Sequence, residues 1–263
     1  MSLVFAAIVP HPPILIPTIG KENLEKIQKT QKAMERLEQD LYASKPDILI
    51  IISPHGEVQH DFFTINLSNQ YQISFNDFGD FATKLETGGD TILISVNKEK
   101  INSRSPINII SEPNLDHGIG VPFYYLGQHL KETKLIPIYF SLLDNLAHLE
   151  FGKNLKEAIM GTEKRVAVVA SGDLSHCLTE NAPAPFSPAG KEFDEKLIAL
   201  LKNGDTQGVI NLEPKFIESA AECGLRSILI LLGVLNNISF QSEILSYEAP
   251  FGVGYLVANF KLE

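Results

Sequence analysis

Apolar positions along the chain follow two rhythms. Short, nearly unbroken runs rich in Val and Ile occur at residues 3–9, 48–52, 135–140 and 165–170, the pattern of strands covered on both faces. Between the first two runs, Leu24, Ile27, Met34, Leu37 and Leu41 recur at helical spacing with Lys and Glu on the other face. An amphipathic helix joining two buried strands predicts a right-handed βαβ crossover. Further helices are predicted over 121–130, 146–160, 188–201 and about 221–235, and Ser187 before Pro188 supplies a cap residue and a proline at the first helical position. Near the end, ISFQSEILSYEA and GVGYLVANFKL flank the turn residues PFG and predict a closing β-hairpin. Residues 68–91 carry Phe75, Phe78 and Phe81 among Asn, Asp and Gly. They match neither period and read as a loop or lid packing aromatics over a neighbour. No composition break, linker or repeat divides the chain. The expected architecture is one α/β domain over 1–263, with a central, mostly parallel sheet, helices on both faces and a C-terminal β-hairpin.

Composition narrows the class. Apolar residues are 44% and charged residues 21%, ordinary globular usage that argues against disorder. The net charge of −10 speaks against nucleic-acid binding, which needs a basic face. Apolar runs such as SILILLGVL fall far short of the ~20 residues that span a bilayer. No secretory leader pattern opens the chain, so a cytoplasmic protein without membrane attachment is expected. Cys177 and Cys223 are expected as free thiols, and the lack of a CxxC pair excludes a zinc ribbon or finger.

The histidines then bring in chemistry. His11 lies in VPHPP, His55 in SPHGE and His176 in SGDLSH, each after a predicted strand, and His117 in LDHGIG follows the weaker apolar stretch INII. In open α/β sheets ligands bind beyond the carboxyl ends of the strands, so imidazoles far apart in sequence can meet there. Prolines around His11 restrict its backbone, as suits a ligand held rigid before a metal arrives. His60, His129 and His148 lack this setting and read as ordinary surface or hydrogen-bonded residues. Two histidines and a carboxylate leave open positions on a metal. Glu222, near the start of an apolar helix where the dipole favours an acid, is a candidate third ligand, with Glu248 and Cys223 as rivals.

The ordered motifs VPHPP, KPDILIIISPHG, LDHGIGVPFYYL, VVASGDLSH, SPAGKEFDEKL, ECGLRSILILLG and YEAPFGVGYLVA resemble the catalytic B subunit of class III extradiol ring-cleavage dioxygenases, the LigB-type superfamily. They are most similar to the branch found with AMMECR-type and Memo-like proteins. The resemblance implies a non-haem Fe(II) centre on His11, His55 and Glu222, with His176 as acid–base residue and His117 contacting substrate and oxygen. It implies an oxidoreductase that opens a catechol-type aromatic diol with O2. Asp173, three residues before His176, is expected to orient that ring, and a homodimer and an AMMECR-type or radical-SAM partner are the expected associations. Cys223 marks a departure, because it stands where Memo-like proteins place a cysteine. A thiolate facing the metal would favour zinc or copper over iron, and with it the alternative of a zinc-dependent hydrolase or a non-catalytic Memo-like metal-binding protein.

Overall fold

Runs of β-branched residues form the strands that carry the site. The computed structural model describes residues 2–263. Its strands are β1 (Leu3–Val9), β2 (Ile48–Ser53), β3 (Phe63–Asn66), β4 (Gln70–Phe75), β5 (Asp80–Gly88) and β6 (Ile107–Ile110). They continue with β7 (Asn114–Leu115), β8 (Lys134–Tyr139), β9 (Val166–Ser171), β10 (Phe240–Glu248) and β11 (Tyr255–Leu262). Eight of them form one sheet in the order β10-β11-β1-β9-β2-β8-β3-β6. The four central strands, β1, β9, β2 and β8, are mutually parallel, so their carboxyl ends open on a single edge.

Side-chain alternation sends successive residues of each strand to opposite faces. Ile8, Ile50, Ile52, Val168 and Ile138 face one core, against the helices Asn145–Met160, Pro188–Lys202 and Leu225–Val234. Ala7, Val9, Leu49, Ile51 and Val169 face the other, against the helices Gln28–Ser44 and His117–Leu126. Every residue of β2 and of β9 is buried, which is why these runs are continuous rather than alternating. The expected α/β domain and the terminal hairpin β10–β11 are both present. No helix among the described residues is long and apolar enough to cross a membrane.

Three expectations are corrected. Residues 68–91 are not a loop. They form the antiparallel pair β4–β5, joined to β7 in a second, three-stranded sheet. Tyr71, Ile73 and Phe75 are buried while Gln70, Gln72 and Ser74 are exposed, so a period of two runs through QYQISF, next to the turn residues Asn76–Gly79. The helix expected from 121 starts at His117, because the Asp116 carboxylate accepts from the Ile119 N–H and caps it. The helix expected from 221 starts at Leu225, because Ala221 takes a left-handed conformation (φ 50°) that ends the preceding helix Pro214–Ala220. Glu222 and Cys223 therefore lie in a tight connection between helices, beside the sheet edge.

Candidate metal centre

Three loops beyond the parallel strands and one connection between helices converge on the edge of the sheet. His11 follows β1, and its backbone N–H donates to Asp173 Oδ1 at 3.0 Å, tying the loop after β1 to the loop after β9. Cys223 is drawn in by its own N–H, which donates to the Asp173 carbonyl at 3.3 Å, and its Sγ accepts from the Asp173 N–H at 3.3 Å. This approach needs glycine. A Cβ on Gly172 would lie 2.2 Å from the Gly224 Cα. Gly118 answers the same need beside His55, where a Cβ would stand 2.3 Å from Ser53 Oγ and 3.3 Å from the His55 ring.

The donor atoms meet. His11 Nε2 and His55 Nε2 are 2.9 Å apart, Cys223 Sγ is 3.7 Å from His11 Nε2, and all three donors lie within 4.8 Å of one another. These separations bracket the roughly 3–4 Å between neighbouring donors around a tetrahedral zinc ion. A chain of contacts settles which nitrogen of His11 is free. Pro122 lies inside the helix His117–Leu126 and has no N–H to give the carbonyl four residues back. That carbonyl, Gly118 O, instead accepts from Ser171 Oγ at 2.5 Å. Since the Ser171 proton is committed there, its oxygen faces His11 Nδ1 at 2.9 Å as an acceptor. His11 therefore carries its proton on Nδ1 and turns the Nε2 lone pair towards His55 and Cys223. Two ring nitrogens this close, one a bare lone pair, suit a shared cation.

Electrostatics agree for the two imidazoles. Burial lowers the pKa of His11 well below the usual imidazole value, helped by the neighbouring His55, His117 and His176. Burial, then His117, brings His55 to about 4. Both rings are neutral near pH 7, the state that ligates. Burial pushes the Cys223 thiol well up, with the charges of Asp173 and Glu222 adding to it. Burial likewise raises Asp173 to about 7.

His117 and His176 stand beside this trio. The His117 ring stacks on His55 with centroids 4.2 Å apart and lies edge-on to His11 at 5.5 Å. Phe78, at the β4–β5 turn, packs edge-on to His117 at 5.0 Å. His176 Nδ1 is 2.8 Å from the Ala221 carbonyl, which leaves Nε2 free, and burial lowers its pKa. The carboxylate of Asp173 accepts from His11 rather than from this ring.

The acids proposed as third ligand go elsewhere. Glu222 Oε2 accepts from the Leu225 N–H at 2.6 Å and caps the following helix. Glu248 Oε1 accepts from the N–H and hydroxyl of Thr30, both at 2.7 Å. His148 is a hydrogen-bonded residue, as one arm of the expectation had it: it is fully buried, with Nδ1 2.7 Å from Asp144 O and Nε2 3.0 Å from Ser141 O, and it fastens the loop after β8. His129 is exposed and contacts Glu38 at 2.8 Å. Sequence reasoning missed Ser171, Ser53 and Asp116. Ser53 and Ser171 each end a fully buried strand, and a polar residue closing an apolar run at the carboxyl edge was the signal available.

A family profile described as "Catalytic LigB subunit of aromatic ring-opening dioxygenase" matches residues 5–258. The chain belongs to this family. Protein CA_C1420 of Clostridium acetobutylicum is 36% identical, over 97% of this chain and 57% of its own length. The chain thus spans a little over half of that relative. The 2-aminophenol 1,6-dioxygenase beta subunit of Pseudomonas sp is 23% identical, over 99% of this chain and 94% of that subunit. The crystal structure of uncharacterized protein JW3007 from Escherichia coli K12 superposes with a TM-score of 0.69 at 15% identity, covering 97% of this chain and 99% of that one. That likeness is one of fold.

Proposed function

We propose that this LigB-family protein is a zinc-dependent hydrolase whose ion is held by His11, His55 and Cys223. The observation that carries the reading is the third donor: a thiol, not a carboxylate, stands with the two imidazoles. Thiolate with imidazole selects zinc or copper, whereas iron oxygenases of the two-histidine type use a carboxylate. Zinc so held supplies Lewis acidity towards a water or a carbonyl. His176 is the general base. Its Nδ1 proton is engaged by the Ala221 carbonyl, its Nε2 lone pair is available, and burial keeps it neutral at pH 7. His117, stacked on His55 and covered by Phe78, walls the substrate side and limits water.

A second reading, an Fe(II) extradiol dioxygenase acting on a catechol-type diol with O2, is favoured by the ring-opening dioxygenase after which the family is described and by the 2-aminophenol 1,6-dioxygenase of Pseudomonas sp. One experiment separates the two. Protein purified without added metal is expected to hold about one zinc per chain, lost in His11→Ala and Cys223→Ala and kept in Glu222→Gln. Anaerobic loading with Fe(II) is expected to give no oxygen uptake with catechols. Iron as the resident metal, with occupancy that depends on Glu222 and not on Cys223, would sink the hydrolase reading.

A further inference from the structure

A second site adjoins the metal centre on its helical side. A cavity of about 910 Å³ opens between the loop after β8 and the segment 210–226, a volume within the usual range for small-ligand pockets. Its apolar walls include Leu142, Leu146, Ile210, Leu212, Ile217 and Leu225. Leu142 and Leu146 are 46% and 54% exposed, a large apolar exposure for leucines flanking a cavity. Ala221 and Glu222 form its inner wall. They directly precede Cys223, and Ala221 O is the partner of His176. Cavity and metal centre therefore share a wall.

The cavity contains one cationic side chain, Arg226. It is half-buried, and its guanidinium lies 5.5 Å over the Phe140 ring. Among the described residues no carboxylate lies within ion-pair distance of it; the ion pairs of the chain all involve other cations. Glu222 is close enough for the two charges to interact, yet its Oε2 is taken by the Leu225 N–H. Arg226 also stands in the first turn of the helix Leu225–Val234, where the helix dipole disfavours a cation. A half-buried guanidinium with five donors and no acceptor, placed against the dipole, is a poor way to stabilise a fold and a good way to bind an anion.

We propose that this cavity binds an amphipathic monocarboxylate, with its carboxylate on Arg226 and its apolar body along the leucine and isoleucine wall. A monoanion fits better than a phosphate dianion, because Asp144, Glu213 and Glu218 are exposed at the rim and the chain carries a net charge of −10. The site does not depend on which metal, if any, the neighbouring centre holds.

Titration calorimetry with octanoate, octanamide and octyl phosphate tests it, on wild type and Arg226→Gln, each in zinc-loaded and chelator-treated form. Octanoate is expected to bind the wild type at least tenfold more tightly than octanamide, with or without zinc, and more tightly than octyl phosphate. Arg226→Gln is expected to erase that preference while binding octanamide within about twofold of wild type. Equal binding of acid and amide by the wild type, absence of octanoate binding, or a preference that survives in Arg226→Gln overturns the proposal. The wild-type comparison alone decides should the variant fail to fold. Tighter octyl phosphate would overturn the monocarboxylate assignment. Zinc content, read on the same samples, reports separately on the hydrolase reading.

Discussion

At the scale of single residues, the ring of His11 is oriented by what its Nδ1 meets. Ser171 Oγ has one proton, and Gly118 O takes it, so the serine can only accept from His11. Partners of this kind fix the tautomer and aim the ligating lone pair, and their loss typically weakens metal binding 10–100-fold. Ser171→Ala is therefore expected to lower zinc affinity by about that factor while the fold, read by circular dichroism, is kept. Calorimetric titration of zinc into chelator-treated protein measures it. An affinity equal to wild type would show that the hydroxyl does not set the His11 tautomer.

At the scale of elements, the helix His117–Leu126 gives up a hydrogen bond to serve the site. A proline inside a helix removes one backbone bond and costs ~3 kcal/mol relative to alanine in an ordinary helix. Here the freed Gly118 carbonyl is the acceptor for Ser171, and the helix start delivers His117 beside His55. Pro122→Ala restores an N–H that competes for this carbonyl. Thermal stability is expected to hold or rise, and zinc affinity to fall several-fold. Parallel thermal melts and zinc titrations check this, and a variant that loses stability without losing affinity would refute the coupling. The β4–β5 pair contributes at the same scale. Asp80, buried at its turn, accepts from Thr18 and from the N–H groups of Ala82 and Thr83, so the tip carrying Phe78 is anchored to the segment that follows His11.

For the whole molecule, the parallel centre of the sheet decides where loops converge, and the terminal hairpin closes one side. Asp194 connects these parts: its Oδ1 accepts from the Ser175 N–H at 2.9 Å and its Oδ2 from the Tyr247 hydroxyl at 2.6 Å. It is fully buried, and burial raises its pKa from 3.8 to about 6. Between those values the folded protein keeps a proton that the unfolded chain has released. Its contribution to stability is thus complete below the unfolded value and is lost as pH rises through about 6. At ~1.4 kcal/mol per pH unit, the loss is at most about 3 kcal/mol. Urea unfolding of wild type and Asp194→Asn at pH 4, 5, 6 and 7 is expected to show the variant gaining on the wild type across this range. Parallel pH profiles would exclude Asp194 as the titrating group.

Much of this protein could be read from the order of its residues. Continuous Val/Ile runs place β1, β2, β8 and β9 within a residue or so of the observed ends, because a strand buried on both faces leaves no room for polar side chains. The setting of His11, His55, His117 and His176 after apolar runs marks the carboxyl edge of the sheet, because parallel connections must all return there. Only the tertiary structure set which of the acid and the thiol stands beside the imidazoles. Glu222 and Cys223 are neighbours in sequence, and the left-handed turn at Ala221 with the Gly172–Gly224 contact sends one to cap a helix and the other to the imidazoles. The same holds for Ser171 and Pro122, whose roles are set by contacts between residues about 50 apart. Periodicity reports which face a residue takes along its own element. Which side chains share a proton or a cation depends on how separate elements are brought together.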